Sequence, residues 1–374
     1  MKKVIMYEKI YRDIIKSIQE GIYKEKDLLP SEKELAEQYG VSRITTNKAM
    51  NMLARQGVIE RIQGKGSFVS SNAMEMTQNV MEMEKIIESE HVPESRSESV
   101  QNMIGVIVDG FDITWGSNLI KGIERECHKQ NFGMFFCCTY GSVDAENEGI
   151  KNALAYGVRG LILMPVQGEK YNDTILKLAL NKFPVVLVDR DMKGIGIPCV
   201  KTDNYAAAKE LTEILISRGH KNICFVTHSV ETTPTIENRV NAFRDCVMKH
   251  PDCRGVVELM NSYNTTLEDA DQVYMDYDLS EVKAIIEREQ DCTAFFTVEY
   301  KMGALFKRAF RELGMKREIC TFDGLGAIYT EGEQFLHVRQ GEYQIGKEAV
   351  KTLKNVMDGK ETELIIDIPY MVVM

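Results

Sequence analysis

The sequence predicts an α/β protein in which an N-terminal winged helix-turn-helix precedes a two-lobed, doubly wound α/β domain. Two observations predict this fold class. The N-terminal part contains three helical patterns separated by turn residues, followed by a pair of alternating strands. From Met103 onward, short apolar strands alternate with amphipathic helices in two successive cycles. We therefore expect the helix-turn-helix at residues 1–70, a linker at 71–101 and the two-lobed domain at 102–374.

Composition and charge distinguish the two ends of the chain. The 374 residues are 44% hydrophobic, which is enough to bury a sizeable core. The net charge is -10, yet residues 1–70 carry nine lysines and four arginines against nine acidic residues, a net charge of +4. Only this end has the sign that suits a phosphate backbone. With no long apolar run and an early charged start, we expect a cytoplasmic protein that does not enter a membrane.

The nine cysteines are scattered along the chain and show no paired C-x-x-C spacing. An odd number without paired spacing is typical of reduced intracellular thiols. We therefore expect no disulfide, no zinc ligands and no cofactor.

Three helices are predicted in the first domain from periodicity and caps. The first is an amphipathic pattern near the N-terminus. Ser31 is followed three residues later by Glu34, which predicts a capping box at the start of the second helix. Gly40 ends that helix, and Ser42 caps a third helix over residues 43–56. A helix, a glycine turn and a helix together are typical of a helix-turn-helix.

The third helix and the hairpin that follows it predict contacts with DNA. Such a helix enters the major groove with its first residues nearest the base edges. Arg43 suits guanine and Asn47 suits adenine, whereas Lys65, in the glycine turn of the hairpin, can reach a phosphate or a minor groove. The open alternative is a winged helix that binds protein and no DNA. The predicted DNA-binding residues are Ser31, Lys33, Ser42, Arg43, Thr45, Thr46, Asn47, Gly64 and Lys65.

Three motifs in this domain carry a family resemblance: P-S-E-K-E-L-A at 30–36, G-V-S-R-I-T at 40–45 and G-K-G-S-F-V at 64–69. Their residues and spacing resemble the GntR family of bacterial regulators. The resemblance implies sequence-specific binding of operator DNA. Asn47 is a departure, because the family usually has an arginine there.

The linker of residues 71–101 contains no glycine and is rich in Glu, Met and Ser. It ends in a polar run at 93–99. This composition favours a tether between the two folded parts.

The second domain is predicted from nearly continuous apolar strands, as expected for a parallel sheet covered on both faces. A first cycle starts at 104–108 and a second at 222–226. Two such lobes place a ligand cleft at the carboxyl ends of their strands.

Six motifs of this domain also carry a resemblance: V-D-R at 188–190, T-D-N at 202–204, R-G-H-K-N-I at 218–223, R-V-N-A-F at 239–243, T-F-D-G at 321–324 and V-R-Q at 338–340. Their order and spacing resemble the lactose repressor (LacI) family and its periplasmic sugar-binding relatives. Combined with the GntR-like head, the chain resembles the arabinose-utilisation repressor group of Gram-positive bacteria. The resemblance implies a dimeric repressor in which a small carbohydrate binds between the lobes and changes the spacing of the DNA-binding heads.

The resemblance implies ligand contacts at Arg190, Arg239, Asp323 and Gln340, and Asp109, Asp112 and Trp115 are expected next because they follow the first strand. Polyhydroxylated ligands need such charged hydrogen-bond partners and an aromatic face. Two alternatives remain open: Trp115 packs under its loop instead of stacking on a sugar, and Asp323 pairs with Arg190 for structural reasons. Glu299 stands where the family often has asparagine. The predicted ligand-binding residues are Asp109, Asp112, Trp115, Arg190, Arg239, Glu299, Asp323 and Gln340.

Other functions were weighed against this prediction. An enzyme is disfavoured because the chain lacks G-x-S-x-G, a Walker loop and H-E-x-x-H. A regulator that senses a nucleoside or a phosphorylated metabolite is a closer alternative, as is an activator. Acidic residues around the cleft favour a neutral sugar over a phosphate. A homodimer is expected, because paired half-sites supply the DNA contacts that one winged helix lacks.

Overall fold

A computed structural model describes residues 6–55, 57–62, 65–74, 76–77, 102–166, 172–228, 233–261, 276–325 and 334–374. Gly64 and residues 78–101 of the predicted linker lie outside the described residues. The chain divides into two compact units, Met1–Ser95 with Asp173–Phe183 and Arg96–Asn172 with Pro184–Met374.

The N-terminal part has the predicted order of three helices and a two-stranded hairpin. Ser31 and Glu34 form the predicted capping box, and Gly40 ends the second helix with a left-handed φ of 64°. The hairpin is antiparallel and pairs Ile59 with Val69. The elements are α1 (Met6–Gln19), α2 (Glu32–Tyr39), α3 (Arg43–Arg55), β1 (Ile59–Ile62) and β2 (Gly66–Val69).

The apolar faces of these elements form a separate core. Ile10 and Ile18 of α1 meet Leu35 of α2 and Met50 and Leu53 of α3, all buried. The third helix thus turns Met50 and Leu53 inward. Its opposite face is left toward solvent.

The second unit contains two parallel sheets with helices on their faces. In chain order, the first cycle of elements is β3 (Met103–Val108), α4 (Ser117–Lys129), β4 (Gly133–Cys138), α5 (Val143–Ala155), β5 (Leu161–Leu163), α6 (Asp173–Leu180), β6 (Val185–Val188) and β7 (Cys199–Thr202); of these, α6 is grouped with the first unit. The second is α7 (Asn204–Ser217), β8 (Asn222–Thr227), α8 (Pro234–Met248), β9 (Arg254–Leu259), α9 (Ser280–Arg288), β10 (Ala294–Thr297), α10 (Tyr300–Glu312), β11 (Glu318–Phe322) and β12 (Leu336–Arg339). The chain ends with α11 (Glu342–Met357), β13 (Ile365–Ile368) and β14 (Met371–Val373).

Strand order defines the two lobes. The first sheet runs β13-β7-β6-β5-β3-β4 and is parallel throughout. The second runs β14-β12-β11-β10-β8-β9 and is parallel except where β14 pairs with β12. The chain leaves the first sheet after β7, returns after β12 and leaves again after β13. This arrangement confirms the predicted two-lobed α/β class.

Helix α11 follows the second lobe in sequence but packs on the core of the first lobe. It crosses α4 at two glycines. A Cβ at Gly346 would lie 2.2 Å from the carbonyl oxygen of Leu119, and one at Gly122 would lie 2.2 Å from that of Tyr343. Because real Cβ atoms do not approach backbone this closely, both positions need glycine. Within the described ranges, no helix combines the length and apolar character needed to span a bilayer.

Candidate DNA-binding surface and ligand site

The start of α3 presents an exposed surface. The Ser42 hydroxyl accepts a hydrogen bond from the Thr45 backbone N–H at 3.3 Å and so caps the helix. Ser42 and Arg43 are exposed. Ile44 is 83% exposed, which the sequence prediction missed. Ile44 falls outside the apolar periodicity of the helix, and this could have indicated its exposure from the sequence. Its methyl groups suit contact with the thymine methyl in a major groove.

Thr46 is fully buried, at 0% exposure. Its hydroxyl lies 3.0 Å from the carbonyl oxygens of Glu32 and Arg43. The prediction that Thr46 contacts DNA is therefore corrected. The side chain ties α3 to the start of α2 and does not reach the surface.

Asn47 belongs to a polar network that links α2 and α3 to the β1–β2 hairpin, which is the wing of the domain. Its Nδ2 donates to Glu32 Oε1 at 2.8 Å, and its Oδ1 accepts from Asn51 Nδ2 at 2.7 Å. Arg61 of β1 donates to both Glu32 and Asn51. The Asn47 amide is thus engaged within the protein, and an adenine would have to compete for it.

The other predicted head residues are near the surface. Ser31 caps α2, Lys33 is exposed with its Nζ 4.0 Å from Glu37, and Lys65 is exposed beside the wing turn. Thr45 is partly buried, with its hydroxyl 3.0 Å from that of Ser42.

In the first lobe, charged residues meet where β3 and β6 end. Arg190 Nη1 donates to Asp109 Oδ2 at 2.8 Å and to the Pro165 carbonyl at 2.7 Å. Its Nε lies 3.5 Å from Asp189 Oδ2. Asp109 also accepts from the Gly141 backbone N–H at 2.7 Å. Among the described contacts, no ion pair joins Arg190 to Asp323; Arg190 pairs with the carboxylates of Asp109 and Asp189 in its own lobe.

In the second lobe, Arg239 of α8 is held by two hydrogen bonds. Its Nε donates to Asn204 Oδ1 at 2.7 Å, and its Nη1 donates to the Val298 carbonyl at 2.8 Å. The guanidinium carbon lies 3.6 Å from the centroid of the Phe322 ring, a cation–π contact. The group is therefore fixed in place before any ligand arrives.

Asp323 follows β11 and accepts from Gln340 Nε2 at 3.0 Å. It has a positive φ of 60°, and Asp189, which follows β6 in the other lobe, has 63°. A positive φ is costly for a residue with a Cβ, and such strain is concentrated at functional sites. The two lobes thus present one strained carboxylate each at matching strand ends.

The two sets act on each other electrostatically, and we call them together the interlobe cluster. Burial raises the pKa of Asp323 well above its ordinary value, although the charge of Arg239 opposes this. Burial lowers the pKa of Arg239, while the charges of Asp323 and Asp189 oppose that change. The members of the interlobe cluster are Asp109, Asp189, Arg190, Arg239, Asp323 and Gln340.

Three buried atoms of the interlobe cluster lack a hydrogen-bond partner among the described residues: Asp189 Oδ1, Arg190 Nε and Gln340 Oε1. A buried polar atom without a partner costs about 1–3 kcal/mol. Two of these atoms accept hydrogen bonds and one donates. A ligand that carries hydroxyl groups can satisfy both kinds.

Asp112 is engaged in an ion pair between the lobes. Its Oδ2 lies 2.5 Å from Lys301 Nζ of α10, and its Oδ1 accepts from the Thr114 backbone N–H at 2.6 Å. Burial alone would raise the pKa of Asp112, but hydrogen bonds from Lys301 and Thr114 outweigh it and lower the pKa. Trp115 is partly buried and packs against the first-lobe core, as the packing alternative expected.

Glu299 stands at the start of α10, with Oε1 3.4 Å from His228 Nε2. Burial alone would lower the pKa of His228, but the hydrogen bond and charge of Glu299 outweigh it and raise the pKa. Glu299 is 41% exposed. It follows β10 of the second lobe, and its side chain contacts this histidine.

Sequence reasoning missed three residues of the site: Asp189, Asn204 and Lys301. Asp189 and Asn204 stood inside quoted motifs, V-D-R and T-D-N, so a signal existed for both. Lys301 had none, because its contact with Asp112 joins positions far apart in the chain.

Comparison with protein families assigns both parts of the chain. Residues 6–69 match the model described as bacterial regulatory proteins, gntR family. Residues 104–361 match the model described as periplasmic binding protein domain. The chain belongs to the periplasmic binding protein domain family. In this member, the domain follows a GntR-type helix-turn-helix.

Curated relatives with similar sequences are transcription regulators. The arabinose metabolism transcriptional repressor of Geobacillus stearothermophilus is 22% identical over 380 residues, which cover 99% of this chain and 96% of that protein. The HTH-type transcriptional regulator TreR of Bacillus subtilis is 51% identical over 67 residues, 18% of this chain and 28% of that protein. The second match has the higher identity but covers only a short segment of this chain.

Among solved structures, the transcription regulator CcpA of Lactococcus lactis has a TM-score of 0.60 at 19% identity, covering 73% of this chain and 98% of that chain. This likeness shows that the two proteins share a fold.

Proposed function

We propose that this chain is a transcriptional repressor of sugar-utilisation genes, which binds operator DNA and releases it when a small neutral carbohydrate binds between the lobes. Three buried atoms that have no hydrogen-bond partner among the described residues carry the ligand assignment: Asp189 Oδ1, Arg190 Nε and Gln340 Oε1. The full-length similarity to an arabinose metabolism repressor supports arabinose or a similar sugar as the effector.

Charge in the interlobe cluster favours a neutral ligand. Arg190 is already paired with the carboxylates of Asp109 and Asp189, so these groups leave the cluster without an excess of positive charge. A phosphate would meet like charge at close range. Sugar hydroxyls instead accept from guanidinium groups and donate to carboxylates, both as charge-assisted hydrogen bonds.

On the DNA side, the exposed start of α3 is the proposed reading surface. Ser42, Arg43 and Ile44 supply hydroxyl, guanidinium and apolar contacts, and Lys65 of the wing supplies a cation. One winged helix buries little DNA surface, so a homodimer on two half-sites is part of the proposal. The sugar regulates only by binding one lobe arrangement better than the other.

The test uses the full chain and a fluorescent DNA fragment from upstream of its own gene. Pentoses, hexoses, sugar phosphates and nucleosides are first screened by thermal shift, since a ligand of the folded state raises the melting temperature. We expect one neutral sugar to raise it and to weaken DNA binding measured by fluorescence anisotropy. Asp323→Asn should abolish both effects, whereas Asp358→Asn, a matched change at an exposed ion pair, should leave them intact.

Other outcomes would contradict parts of the proposal. If only a sugar phosphate or a nucleoside stabilised the chain, the assignment of a neutral sugar as the ligand would be wrong. A sugar that strengthens DNA binding would contradict release as the mode of control. DNA binding that no stabilising ligand alters would contradict ligand control itself.

A further inference from the structure

A thiol, an imidazole and a carboxylate converge between α7 and α8 of the second lobe. Within the described residues, Cys246 Sγ, a ring nitrogen of His250 and a carboxylate oxygen of Glu213 all lie within 4.8 Å of one another. Glu213 is nine residues beyond Asn204 on α7, a rise of about 13 Å. The group is therefore separate from the interlobe cluster.

Two helices and the turn that follows one of them hold the three side chains. Glu213 lies four residues before the end of α7, and Cys246 lies near the end of α8 at 1% exposure. His250 follows the end of α8, where its backbone N–H donates to the Val247 carbonyl at 2.9 Å. This turn keeps the imidazole close to Cys246, and its Nε2 lies 3.0 Å from Glu213 Oε2.

Sulfur, imidazole nitrogen and carboxylate oxygen are the three donor types that zinc takes from proteins. The Glu213 and His250 side chains are 40% and 36% exposed, so solvent reaches the side opposite the buried thiol. Burial and the hydrogen bond to Glu213 raise the pKa of Cys246 to about 12, although the charges of Lys209 and Lys249 oppose this, so metal binding must release the thiol proton. We propose that Cys246, His250 and Glu213 form a zinc-binding site with water as the fourth ligand.

The site would join the two helices that carry part of the interlobe cluster. Asn204 begins α7 and accepts from Arg239 of α8 at 2.7 Å. A metal bound further along the same helix pair would resist their separation. The proposal departs from the cysteine spacing, which predicted no zinc ligands, because Glu213 and Cys246 come from different helices 33 residues apart.

The experiment titrates the full chain with Co²⁺ and, separately, with Zn²⁺. Cobalt bound to a thiolate gives a near-ultraviolet charge-transfer band, which reports directly on a Cys ligand, and calorimetry gives the zinc affinity. The variants are Cys246→Ser and His250→Gln, and Cys253→Ser is the matched control because that thiol lies outside the three-residue group. Circular dichroism checks that each variant folds.

We expect the cobalt band in the wild type and in Cys253→Ser and its loss in Cys246→Ser. Zinc affinity should fall at least about tenfold in both site variants, because even changes around metal ligands cost this much. His250 is partly exposed, so His250→Gln tests the site even if the buried Cys246→Ser variant does not fold. A wild type without the cobalt band, or a folded His250→Gln with wild-type zinc affinity, would overturn the proposal.

Discussion

The ion pair between Asp112 and Lys301 can be tested by a double-mutant cycle. The two groups are 2.5 Å apart and join the lobes, and their side chains are 35% and 21% exposed. Exposed pairs contribute about 0.2–1 kcal/mol, and loss of one partner from a fully buried pair costs about 3–5 kcal/mol. This intermediate burial places the expected coupling at about 1–2 kcal/mol, or about 5–30-fold in an equilibrium constant.

The cycle compares Asp112→Asn, Lys301→Met and the double variant by urea unfolding and by calorimetric sugar affinity. If Asp112 acts through Lys301, each single substitution should change the unfolding free energy and the sugar affinity nearly as much as the double substitution does. If Asp112 contacts sugar directly, Asp112→Asn should lower sugar affinity equally with and without Lys301. Unfolding effects that add within about 0.5 kcal/mol would refute the pairing argument.

A second pair between the lobes provides a comparison for that cycle. Lys193 Nζ lies 2.9 Å from Glu237 Oε2, but these side chains are 57% and 45% exposed. Because water screens this pair more, its coupling should not exceed about 1 kcal/mol.

Three further predictions follow from the described contacts. Arg43→Ala should weaken operator binding by about 1–3 kcal/mol in an anisotropy titration without changing the melting temperature, and unchanged DNA affinity would remove Arg43 from the reading surface. Gly346→Ala should lower the free energy of unfolding by about 1–3 kcal/mol in urea, since the new Cβ meets backbone at 2.2 Å. The control Gly133→Ala should cost less, because its Cβ meets only a methionine side chain at 3.1 Å. Equal losses of unfolding free energy in the two variants would contradict the reasoning. Glu299→Gln should lower the pKa of His228 in an NMR titration, because burial then acts without the opposing carboxylate. In the wild type, the stability from this pair is present below the unfolded histidine pKa and is lost as pH rises through the raised folded value. An unchanged His228 titration in the variant would disprove the link.

Much of the head was predictable because its signals are local. The capping box of Ser31 and Glu34 and the glycine stop at Gly40 are chemical requirements of helix ends, and both were confirmed. The prediction that Thr46 contacts DNA was wrong because the burial of Thr46 depends on a contact between two helices. Its position among the first residues of α3 predicted a contact with the groove, but its hydroxyl donates to the Glu32 carbonyl at the start of α2.

In the second domain, the sequence by itself determined the two-lobed α/β class and the strand ends where Arg190 and Asp323 lie. Apolar runs must be buried and parallel strands end at a common edge, so both follow from pattern. Tertiary structure alone decided the partners: Arg190 with Asp109, Asp323 with Gln340, and the ion pair across the lobes. It also placed β13 and β14 in different sheets, although they are neighbours in the chain. These are contacts between distant segments, which depend on how the lobes pack and leave no periodic signal in the sequence.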